Sequence, residues 1–138
     1  MSILADIYIS RDDEALKYDT TPEQFTDRAQ YKGMTPLEVS MLWSIMQGIE
    51  WDVALMDEFP CLLQLQGGER LIHKFPAEMV SALSKLSSDR AGTVTAAWAA
   101  TEQLSCSPDD IRPAIDDMVR LAGRALDSGK SMFLWNCV

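Results

Sequence analysis

The chain has 138 residues, 47% of them hydrophobic and 24% charged, the proportions of one soluble domain large enough to hold a core without disulfide or metal staples. Twenty-one acidic against twelve basic residues give a formal charge of −9, which opposes the counterion release that drives nucleic-acid binding and disfavours an anionic membrane surface. The cysteines, Cys61, Cys106 and Cys137, are odd in number and without CxxC spacing, so a disulfide framework is not expected and a reduced, cytoplasmic setting fits.

In chain order, MSILADIYIS has no basic n-region and meets Asp6 after three apolar residues, which argues against a signal peptide. No apolar run approaches the ~18 to 20 residues of a membrane span. Ile3 to Ser10 alternates as a strand, with Ile3, Ala5, Ile7 and Ile9 on one face and Leu4, Asp6, Tyr8 and Ser10 on the other. Residues 11–21, RDDEALKYDTT, are polar and lack a period, the one stretch where disorder is expected.

Three helix starts share one signal, a hydroxyl followed by proline and then acidic or amide groups: Thr21-Pro22, Thr35-Pro36 and Ser107-Pro108. The first predicts a short helix from Pro22 that ends before Gly33. The second predicts a helix over 36–47, stopped by Gly48 and apolar almost all round except for a stripe of Ser40, Ser44 and Gln47. Such a helix needs cover from other elements or from a second copy of the chain, so a homodimer is compatible with it. Residues 49–59 read as a short helix or a loop. CLLQLQ and ERLIHKF around Gly67-Gly68 predict a hairpin with a two-residue turn, pairing Leu63 with Ile72, Leu62 with His73 and Cys61 with Lys74.

Helices follow over 76–86, 89–104 and 108–126, with Val94, Ala97, Trp98, Thr101 and Leu104 inward in the middle one and Pro113 expected to kink or split the last. Ser131 to Val138 is apolar on both faces and predicts an inner strand with Trp135 buried. The whole, residues 1–138, reads as a single α+β domain of about four strands and about five helices.

The chemistry visible in the sequence is sparse. Gly129-Lys130-Ser131 ends like a phosphate-binding loop, but the preceding Gly123 is one residue too far away, and a helix precedes it where a strand is required. Cys137 is second from the end rather than fourth, which excludes a prenylation box. The single histidine, His73, leaves little for zinc or for Cys–His or Ser–His–Asp catalysis, and in the expected hairpin register it faces away from Cys61. The acidic pairs show no calcium-loop spacing. No metal or cofactor is therefore expected. Trp98 and Trp135 fit core positions, whereas Trp51 lies among Glu50, Asp52, Asp57 and Glu58, the composition of an interface anchor for a basic partner.

The order of an apolar helix around Trp43, the Gly67-Gly68 hairpin, a helix after Phe75-Pro76, a helix containing Trp98 and the closing ALDSGKSMFLW resembles the YfbM-like group of small bacterial proteins over residues 35–138. That resemblance implies an α+β fold and carries no activity with it. The leading expectation is a non-enzymatic, protein-binding module, similar in its acidity to immunity or antidote proteins that mask a basic toxin. The alternative is a small-molecule-binding protein or hydrolase with a pocket between helix and sheet near Asp6, Tyr8 and His73.

Overall fold

The computed structural model describes residues 3–138. Its strands are β1 (Leu4–Ser10), β2 (Arg28–Lys32), β3 (Cys61–Leu65), β4 (Arg70–Lys74) and β5 (Ser131–Cys137), and its helices are α1 (Pro36–Gln47), α2 (Ala77–Ser84), α3 (Ser88–Ala99) and α4 (Pro108–Ser128). The strands form one sheet in the order β2-β1-β5-β4-β3, antiparallel throughout. The α+β reading holds, with one strand more than expected.

The alternation seen in the sequence decides which face goes where. Ala5, Ile7, Ile9, Met132 and Leu134 face the four helices and join one continuous core with Leu42, Leu83, Trp98, Ile115 and Met118. Tyr8, Ile72 and Phe133 point to the opposite face. Residues 11–21 cover that second face, contrary to the expected disorder: Ala15–Asp19 is a 3-10 turn with Ala15 and Tyr18 buried. The Tyr18 ring stacks on Tyr8 at 4.0 Å between centroids, and Phe25 meets both edge-on. Two buried residues in a single turn are too few to show a period, so composition suggested solvent while stacking chose the core.

A strand replaces most of the helix expected after Pro22. Pro22–Gln24 is one 3-10 turn, and RAQYK then pairs with β1, with Ala29 and Tyr31 packed toward the helices. Tyr31 donates to an Asp117 carboxylate oxygen and Arg124 pairs with Asp27, so α4 holds this edge of the sheet at two points.

α1 begins with the expected capping box and ends on Gly48 in the left-handed conformation. It is rotated relative to the sequence reading, however, because Ser40 and Ser44 are buried while Met41, Ile45 and Met46 are only partly so. The serine hydroxyls tolerate burial by donating to the carbonyls of Leu37 (2.9 Å) and Met41 (2.7 Å) within the helix. Trp98 Nε1 donates to the Glu38 carbonyl (2.9 Å), joining α3 to α1 inside the core. α3 stops at Ala99, short of Leu104, and Ala97 is exposed. α4 is one continuous element through Pro113, which lies inside it and leaves the Asp109 carbonyl without its i→i−4 donor. It closes with Lys130 N–H on the Ala125 carbonyl (2.8 Å) around left-handed Gly129, the C-terminal motif that makes GKS a helix stop.

In the hairpin, Leu63 pairs with Ile72 as expected, but a bulge between Cys61 and Leu63 brings Cys61 opposite His73. The turn is a 3-10 segment, Gln66–Gly68, rather than a two-residue turn. Trp135 is half-buried, not buried, because it borders an open concavity with Leu4, Pro22 and Arg28; its Nε1 donates to Asp19 (3.0 Å).

Removal of residues 131–138 should abolish cooperative thermal unfolding by circular dichroism, because β1 and β4 would lose their common partner. Leu134→Ala, which leaves the ladder intact, should cost about 2 to 5 kcal/mol and keep a single transition.

Candidate functional site

The segment after α1 folds back on it. Past Gly48 the Ile49 N–H donates to the Ser44 carbonyl (3.1 Å), and Trp51 Nε1 donates to Ser40 Oγ (2.9 Å), laying the indole against the helix. Asp52 then caps the 3-10 turn Val53–Glu58 through the Ala54 N–H (2.8 Å), and buried Leu55 and Phe59 anchor that turn to the core. The result is an open groove of about 420 Å³ with Met41, Ile45, Ile49 and Trp51 along one side and the Thr101–Gln103 turn along the other. Ile49 is 49% exposed, and Val53 beyond it is 67% exposed.

Glu102 lines this apolar strip, and Glu50 lies between Ile49 and Trp51. Glu50, Asp57 and Glu102 are exposed and make no ion pair among the described residues. Asp52 and Glu58 have architectural partners, the former as a cap and the latter as acceptor for Trp43 Nε1 (3.2 Å). The acidic Trp51 neighbourhood thus divides into two groups, unpaired carboxylates and structural ones. The rest of the lining, Met41 and Ile45 beside Trp51 and Glu102 across from it, was not visible in the sequence, because the serines on α1 marked the wrong side of the helix as polar. The i, i+4, i+8 spacing of Met41, Ile45 and Ile49 was the available signal.

The alternative pocket does not assemble. Asp6 and Tyr8 lie on the sheet face away from the helices: Asp6 accepts from the Tyr18 hydroxyl (2.6 Å), and the Tyr8 hydroxyl, pushed up in pKa by burial, donates to the Ala15 carbonyl (2.8 Å). His73 is aligned with Leu134 and, through it, with Ile7, on the helix-facing side. Cys61 comes opposite His73, yet its thiol donates to the Leu63 carbonyl (3.3 Å) and not to the imidazole. Among the described residues no group of three or more His, Cys, Asp or Glu side chains is placed to hold a metal ion, and no helix is long and apolar enough to cross a membrane.

No family model matches the chain, and neither the curated proteins nor the solved structures yield a match. The likeness to the YfbM-like group rests on element order alone.

His73 has a measurable consequence. Its Nδ1 is buried without a hydrogen-bond partner, and burial holds its pKa below the ordinary 6.5. Below pH 6.5 the unfolded chain binds a proton that the folded chain resists, so stability is lost as pH falls from 6.5 toward the folded-state value. Denaturant unfolding of His73→Leu should show a shallower fall across that window than wild type; identical slopes would refute the assignment.

Proposed function

We propose that this protein is a non-enzymatic binding module that uses the groove between α1 and the Thr101–Gln103 turn to hold an apolar side chain of a basic protein partner. The observation that carries the reading is the combination of partly exposed Met41, Ile45, Ile49 and Trp51 with Glu102 on the facing turn and Glu50 between Ile49 and Trp51, neither carboxylate in an ion pair among the described residues. Apolar contact at the centre supplies affinity, and the unpaired carboxylates favour cationic partners and speed encounter. The net charge of −9 extends the same preference over the whole surface and disfavours a second copy of the chain as occupant. In this respect the module is of the immunity or antidote kind, an acidic protein that masks a basic one.

The hydrolase alternative loses its support, since Asp6, Tyr8 and His73 sit on different faces of the sheet. Capture from a low-salt lysate tests the proposal. Wild type should retain a basic protein that Ile49→Lys releases and that high salt weakens, whereas Leu126→Lys, at an exposed site on α4, should retain it. Capture of nothing basic, or equal capture by Ile49→Lys, would overturn the reading. Light scattering that showed a dimer dissociated by Ile49→Lys would assign the groove to self-association instead.

A further inference from the structure

A second concavity, of about 340 Å³, opens where the end of β1, the Ala15–Asp19 turn and the start of β5 meet, with Arg11, Glu14, Lys17, Asp27 and Lys130 among its walls. Its volume is that of a small-molecule site, and its lining is polar rather than apolar. We propose that it binds a small, multiply charged oxyanion, with phosphate or carboxylate groups as the recognised chemistry.

Charge accounting within the cleft favours an anion although the protein as a whole repels one. Asp27 is already neutralised by Arg124 and Arg11 is shared with Asp13, which leaves Lys17 and Lys130 as the unpaired cations against Glu14. Lys17 and Lys130 make no ion pair among the described residues. Arg11 pairs only with Asp13, and both side chains are mostly exposed, so a ligand can displace that contact at little cost.

The three cations stand on fixed backbone. The Lys17 carbonyl accepts from Thr20 N–H (3.2 Å), Thr21 N–H (2.9 Å) and the Thr21 hydroxyl (2.9 Å), which closes the turn that carries it. Lys130 follows the helix stop at Gly129, and the Glu14 N–H donates to the Arg11 carbonyl (3.1 Å). Lys130 also offsets the carbonyl end of α4 whether or not a ligand is present, but Lys17 and Arg11 have no such second role. Recognition here would differ from a phosphate-binding loop, since the cations that line the cleft come from separate parts of the chain and no run of backbone amides is involved.

The test is titration of the full chain at low salt with inorganic pyrophosphate in one arm and citrate in the other, followed by calorimetry and by amide chemical shifts. At least one anion should bind saturably, with shifts concentrated around residues 10–27 and Lys130. Lys17→Gln should weaken it about tenfold, the effect of losing one charge-assisted contact, while Lys32→Gln on the far strand β2 should leave it unchanged. The arm that binds identifies phosphate or carboxylate as the preferred group. Absence of saturable binding in both arms, or binding that Lys17→Gln leaves intact, would overturn the proposal.

Discussion

The structure depends on β5 lying between β1 and β4. Leu4 lies opposite Cys137 on one side and Arg70 lies opposite Cys137 on the other, so a single strand joins two local units, β1–β2 and the β3–β4 hairpin, whose strands share no ladder of their own. That placement requires a strand apolar in both directions. Met132 and Leu134 serve the helix side, Phe133 the opposite side, and all three are fully buried. Where polarity enters, at Asn136, the side-chain amide donates to the Leu4 and Met34 carbonyls and secures the loop beyond β2.

The elements read correctly from the sequence are those whose signal is local and redundant. The capping box at Thr35, Gly48 and Gly129 at helix ends, and the double-sided apolarity of 131–138 each specify a conformation without reference to the rest of the chain. The errors arise where a tertiary partner decides. RAQYK has a strand's alternation, but the Thr21-Pro22 start signal ahead of it belonged to a single 3-10 turn, and pairing with β1 determined the outcome. Tyr18 follows the same rule, since its burial is set by Tyr8 on a different element. On α1 a nearly all-apolar surface gave no reliable direction, and hydroxyls that bond within the helix hid the true inner face.

The candidate site was legible only in part for a related reason. Trp51 and its carboxylates are contiguous and could be read together, whereas the facing turn at Thr101–Gln103 arrives through the packing of α3 on α1 and the Trp98–Glu38 bond. Distribution of charge matters as much as its sum: Glu102 lines the groove unpaired, while Lys17 and Lys130 line the cleft at the β1–β5 end and Arg124 ties α4 to Asp27. The two concavities are thus of opposite sign and lined by different segments.

The antiparallel register of β1 and β5 also sets how this domain responds to tension. Residues 4 and 137 are neighbours at one end of the ladder, so a pull on both loads the first bonded pair alone and peels the seam step by step. Parallel strands in the same position would share the load across every rung and resist in shear. The domain is therefore mechanically soft along the very line that organises its core, and a low steady force applied there parts β1–β2 from β5–β4–β3.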